Sequence, residues 1–104
     1  MDSDASPVRH GAYTVQLAAF ASPTNAARAL AQWERRGYPV YVARLNDVQG
    51  NVRYALRTGS FGTSKAGLAV LNKLDRKSRR LARLTPVGIE DADRMSREEL
   101  TELN

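Results

Sequence analysis

The chain has 104 residues, 42% of them hydrophobic, no cysteine, and a net charge of +5. A chain this short forms one domain with one thin core and no deep closed pocket, which disfavours a self-contained enzyme. The missing cysteine excludes disulfides and thiolate chemistry, and no run is apolar for the 18 residues that a membrane span needs.

Residues 1–12, MDSDASPVRHGA, mix Ser, Asp, Pro and Gly without an apolar period and read as a flexible leader. They show no charged–apolar–small export pattern, so the chain reads either as cytoplasmic or as a piece of an exported protein. The strand signal starts at Tyr13. Val15 and Leu17 mark a core face, which turns Thr14, Gln16 and Ala18 the other way. Ser22 is a good N-cap with Pro23 at the first helical position. Ala26, Ala29, Leu30 and Trp33 then fall on one helical stripe, Trp33 as a core anchor, and Gly37 is a left-handed stop.

A second strand is predicted at 39–45, with Val40 and Val42 inward and Tyr41 and Ala43 outward. Residues 46–51, NDVQGN, have the composition of a hairpin loop. In a third strand, 52–60, Tyr54 and Leu56 point to the core, while Arg53, Ala55, Arg57 and Gly59 point away. Thr63 or Ser64 caps a second helix to about residue 77, whose stripe is Ala66, Ala69, Val70 and Leu74, with Leu71 flanking it. A fourth strand covers 84–90 with Val87 and Ile89 inward. In the tail, Ser96-Arg97-Glu98-Glu99 forms a capping box that opens a short helix, which can dock on the basic second helix. The predicted organisation is a leader at 1–12, a folded body at 13–90 and an acidic tail at 91–104.

YTVQLAAF at 13–20 returns as YALRTGSF at 54–61, each followed by a polar turn and a helix. One strand–helix unit leaves its apolar strand face and helix stripe half covered. Two interleaved copies complete each other. The fold class is therefore α+β: a four-stranded antiparallel sheet in β-α-β-β-α-β order, both helices on one face, the other face open to water.

VQLAAF with its polar turn and Ala-rich helix, and YALRTGSF with its own, resemble the SPOR domain over roughly residues 12–90. In the first motif Gln16 and Phe20 match, while Ala18 and Ala19 stand where Gly and Ser are usual. In the second, Tyr54, Arg57, Gly59 and Phe61 match, with Ala55, Thr58 and Ser60 in place of the usual Arg, aliphatic and Pro. The resemblance implies a non-catalytic, periplasmic module, needing no cofactor. It would bind peptidoglycan glycan strands stripped of their stem peptides, target its parent protein to the division septum, and reach a membrane only through an anchor elsewhere in that protein.

The open face carries chemistry suited to such a ligand. The candidate glycan-binding residues are Gln16, Arg57, Thr14, Arg53 and Tyr41. An amide beside a guanidinium suits acetamides and carboxylates, and a peptide-free muramic acid exposes its lactyl carboxylate to an arginine fork. Tyr41 is the outward aromatic, placed to stack on a sugar or to cap a core edge; Arg53 is equally a solvated charge. A helix or the C-terminal segment lying permanently across this face, with Gln16 locked in an internal contact, would remove the reading.

Charge is segregated along the chain. Residues 13–89 carry 13 of the 16 basic residues and three acids, a net +10, while residues 90–104 carry six acids against Arg94 and Arg97, a net −4. Six basic residues fall within 73–83; they either serve a helix C-terminus or form a rim for anionic partners. Such a basic body suits an anionic polymer, or a tail that folds back on it.

RNA binding is the first rival, because an RRM has the same plan, but an RRM stacks bases on exposed sheet aromatics, and the third strand's outward positions hold none. No nucleic acid is therefore expected, and the domain is read as a monomer. A protein-docking module is the second rival. Catalysis is disfavoured. The three acids of residues 13–89, Glu34, Asp47 and Asp75, are scattered, and the sole histidine, His10, lies in the leader, which leaves no triad or histidine metal site.

Overall fold

A computed structural model describes residues 11–103. Residues 1–10 of the predicted leader, His10 included, lie outside them. Strands β1 (Tyr13–Phe20), β2 (Val40–Asn46), β3 (Val52–Phe61), β4 (Arg83–Pro86) and β5 (Arg94–Met95) form an antiparallel sheet in the order β4-β1-β3-β2-β5. Helices α1 (Pro23–Arg35), α2 (Ser64–Lys73), α3 (Arg76–Leu81) and α4 (Arg97–Glu102) complete the fold, with a 3-10 turn at Ile89–Ala92. The α+β class and the antiparallel sheet hold. The sheet has five strands rather than four, because the tail adds β5 to the free edge of β2.

The core lies between the sheet and α1, α2 and α4. Val15, Leu17, Leu30, Val42, Tyr54, Leu56, Leu74 and Leu100 are buried in it. Period-two patterning placed the strand members correctly. Tyr41 shares the opposite face with Arg57, its register partner, and Val42 shares the core face with Leu56. Local signals also set the helix starts: Ser22 Oγ accepts from Asn25 N, and Thr63 Oγ1 from Ala66 N.

Two irregularities re-aim β1 and β3. Gln16 faces Arg57 while Ala18 faces Leu56, so two residues of β1 oppose one of β3, a β-bulge. Alternation slips there. Ala18, predicted on the open face, turns to the helix side, and Ala19 takes the other face with Ala55. In β3 the register shifts between Thr58 and Phe61, where Gly59 adopts φ +80°. A side chain at that residue would be strained by its backbone and would strike the Phe61 ring.

The second helix stops earlier than predicted. Leu74 leaves helical geometry at ψ 150° and is buried, and Asp75 then caps α3 by accepting from Ser78 N. Its buried stripe is also rotated. Gly67 packs against Leu84, with Val70, Leu71 and Leu74 toward the core, while Ala69 is exposed. Any side chain at Gly67 would meet Leu84, so glycine sets how closely α2 approaches β4.

The fourth strand ends at Pro86 rather than 90, and Ile89, predicted inward, is 92% exposed. Asp91 Oδ2 accepts from Gly88 N at 2.8 Å, which closes the 3-10 turn in place of a ladder. From Pro86 at one sheet edge the chain crosses to Arg94 at the other. Four strand spacings are about 19 Å, and eight extended residues reach about 26 Å, which leaves slack for one tight turn. Helix α4 then returns to the core side. Its capping box forms: Ser96 Oγ accepts from Glu99 N, and Glu99 Oε1 from Ser96 N. It docks on α1, not on the basic second helix, and Leu100 is fully buried.

Candidate functional site

The site is the sheet face opposite the core, at the crossing of β1, β3 and β2. Gln16, Arg57 and Tyr41 are register neighbours on three adjacent strands, and Thr14 lies one pleat along β1. The sheet brings together four of the five residues singled out in the sequence. Arg53 lies apart, toward the hairpin end of β3, and pairs with Asp47 Oδ2 at 3.3 Å. Asp47 is committed to the hairpin: it accepts from the backbone N–H groups of Gln49 and Asn51, which with Arg53 hold its carboxyl below the usual range.

This face is not open to water. Thr14, Gln16, Tyr41 and Arg57 are all buried, Arg57 to 3% exposure. The covering is the strap 87–93, whose Asp91 descends onto the centre of the site. Arg57 Nη1 donates to both Asp91 carboxylate oxygens at 2.8 Å and to Glu90 Oε2 at 3.1 Å. Its Nε and Nη2 donate to Gln16 Oε1 at 3.1 and 3.0 Å. The Tyr41 hydroxyl donates to Asp91 Oδ1 at 2.8 Å and lies 3.0 Å from the Thr14 hydroxyl, itself 3.2 Å from the Thr58 carbonyl. The Arg94 guanidinium stacks 3.9 Å above the Tyr41 ring, so this aromatic offers no free face for stacking. The predicted open platform is thus corrected to a closed one, with Gln16 in an internal contact. The cause is charge pairing: a cation on β3 in low dielectric binds the acidic tail that follows β4.

The electrostatics follow from this packing. Burial alone would raise the Asp91 carboxyl. Arg57, the Gly88 N–H and the Tyr41 hydroxyl outweigh it and hold Asp91 below the ordinary carboxylate range. Burial is the main cause that pushes the Tyr41 phenol up to about 12; its bond to anionic Asp91 adds to this. Burial works against the Arg57 cation, but Asp91 and Glu90 more than restore it. The assembly is a carboxylate receptor: a guanidinium and a phenol converge on one carboxylate, and Gln16 and Thr14 orient them.

Sequence reasoning missed Asp91 and Glu90. The available signal was the acidic tail after a basic body. Among the described residues, no group of three His, Cys, Asp or Glu is placed to hold a metal ion, and no helix is long and apolar enough to cross a membrane.

Fold and site together define a small α+β binding module built from a doubled strand–helix unit. Residues 9–84 match the SPOR domain, and the chain belongs to that family, whose members are peptidoglycan-binding, generally non-catalytic modules of bacterial division proteins. Against curated proteins and solved structures no significant match is found.

Proposed function

We propose that this SPOR domain is a non-catalytic module that binds peptidoglycan glycan strands lacking stem peptides and carries its parent protein to the division septum, in the periplasm. The domain acts as a monomer, and any membrane attachment comes from elsewhere in the parent. The binding unit is the body at 13–90, with the tail at 91–104 outside it.

The observation that carries this reading is the convergence of Arg57 and Tyr41 on a single carboxylate on the sheet face, with Gln16 accepting from Arg57 and Thr14 bonded to the Tyr41 hydroxyl. Muramic acid freed of its peptide bears such a carboxylate, and its acetamide suits Gln16. Arg53, one-third exposed at the hairpin end of the same face, lies where a longer strand would extend. The basic body raises the local concentration of a polyanionic glycan in a salt-dependent way. Binding at this face requires the strap to be lifted from it.

Co-sedimentation with cell walls tests the reading. The protein is retained on walls whose stem peptides an amidase has removed, and much less on intact walls. Gln16→Ala and Arg57→Gln, each shown to be folded by circular dichroism, reduce that retention. Equal retention on the two walls removes the preference for peptide-free strands. Unchanged retention of both variants rules out this face.

A further inference from the structure

We propose that residues 87–103 form a displaceable latch, an intramolecular carboxylate ligand that keeps the sheet-face site shut until a glycan carboxylate takes the place of Asp91. This rests on the glycan-binding reading above and adds a control to it.

The latch lies outside the family's extent. The match ends at residue 84, and everything that closes the site follows it. The SPOR core is complete without the strap: β4, β1, β3 and β2 pair with one another before β5 is added.

The crossing segment is held by charge rather than by apolar burial. Ile89 is turned to solvent at 92% exposure, and Ala92 and Asp93 are exposed. What reaches the sheet is the Asp91 carboxylate, helped by Glu90, with Arg94 stacked on Tyr41. Such contacts are exchangeable. A buried guanidinium needs an anion, but one carboxylate serves as well as another, so a ligand bearing a carboxylate can replace Asp91 without leaving Arg57 unpaired. A hydrophobic cover has no equivalent route of exchange.

The closed state also leaves a polar group unsatisfied. Thr85 Oγ1 is buried without a hydrogen-bond partner among the described residues. Thr85 is the register partner of Thr14, so it points to the same face. A hydroxylated ligand can satisfy this oxygen where the strap does not.

The clasp that holds the latch lies on the other side of the sheet. Leu100 of α4 is fully buried against the core, on a helix of six residues that is too short to persist once detached. Between clasp and strap, β5 adds only a two-residue ladder to β2. Opening therefore breaks one ion-pair cluster, the bond from Val87 N to the Ala12 carbonyl, one short ladder and the apolar contacts of Met95 and Leu100, and leaves the four-stranded core in place.

The full chain can be locked for a test. Ala43 and Arg94 are cross-strand partners on β2 and β5, and the protein has no cysteine of its own. The double variant Ala43→Cys, Arg94→Cys forms a disulfide that fixes the strap, and the same protein reduced is its control. Retention is measured on amidase-treated walls, beside Asp91→Asn, which weakens the latch without altering the sheet residues. The reduced form is expected to bind, the oxidised form at least tenfold less, and Asp91→Asn several-fold more than wild type. Added glycan strands released from those walls should accelerate amide exchange of residues 88–102 and leave β1 and β3 protected. Equal binding by the oxidised and reduced forms overturns the latch while leaving glycan binding intact. No retention of any form, Asp91→Asn included, overturns the glycan reading and the latch with it. Accelerated exchange of β1 and β3 along with the strap would mean global opening and would also overturn the latch.

Discussion

Arg57 Nη1 lies 2.8 Å from both carboxylate oxygens of Asp91, a residue 34 positions later in the chain and beyond the segment that defines the family. The pair joins the centre of the sheet to a tail that folds over it. Its energetics are those of a buried salt bridge, in which each ion's desolvation is offset only while the partner stays in place.

Removing Asp91 therefore strands a cation. Asp91→Ala should destabilise the protein by about 1–3 kcal/mol, below the 3–5 kcal/mol of a fully trapped charge, because Glu90 remains beside the guanidinium. Arg57→Met should cost a similar amount, since Asp91 keeps the Tyr41 and Gly88 donors. The double variant Arg57→Met, Asp91→Leu should lose less than the sum of the two. Urea unfolding measures all three; strict additivity would show that the pair is not coupled.

The same site sets opposite limits in acid and base. The carboxyl of Asp91 is depressed in the folded state, so its contribution is full above the ordinary aspartate value of about 3.9 and is lost as pH falls through the lower folded value. The Tyr41 phenol is raised to about 12, so its contribution is full below the ordinary value of about 10 and is lost as pH rises through about 12. Between these limits strap closure is flat with pH. Amide exchange of 88–94 followed against pH should show a plateau with loss at both ends. In ultraviolet titration, Tyr41→Phe should remove a component that ionises late.

The doubled phrase, the helix caps and the inward set Val15, Leu17, Val42, Tyr54 and Leu56 were legible because each depends on local spacing. The slip at Ala18 was not: in Leu17-Ala18-Ala19 the apolar contrast is too weak to mark where alternation breaks. The rotated stripe of α2 escaped for a related reason, because the decisive residue is Gly67, whose role is the side chain it lacks. The site's membership was legible from strand parity, which put Thr14, Gln16, Tyr41 and Arg57 on one face. Its closure was not, since a carboxylate that caps a local turn through Gly88 N reads in sequence as tail charge. Only the sign of the tail against that of the body pointed to the fold-back.

Gly59 and Gly37 offer a controlled comparison of backbone and packing strain. Both have positive φ, +80° and +91°, and a residue other than glycine pays about 1–2 kcal/mol for that conformation. None of the described residues lies within 4 Å of a side chain built at Gly37, whereas one at Gly59 would run into the Phe61 ring. Gly37→Ala should therefore lose about 1 kcal/mol. Gly59→Ala should lose more, and it should also loosen the bulge that turns β3 into the second polar turn. Thermal unfolding of the two variants gives the order; equal losses would mean that the ring moves aside freely.

Arg53 and Arg57 separate electrostatic steering from direct recognition. Arg53 is one-third exposed and paired with a hairpin aspartate, so Arg53→Ala should cost little stability, within about 1 kcal/mol. If glycan strands lie along the proposed face, Arg53→Ala should reduce retention on amidase-treated walls modestly, and chiefly at low salt, where exposed charges act over a longer range. Arg57→Gln removes the donor that takes the carboxylate, so its loss should persist at high salt. Retention measured across a salt series separates the two. Parallel losses at every salt concentration would mean that Arg57 contributes only net charge and that the carboxylate receptor serves the strap alone.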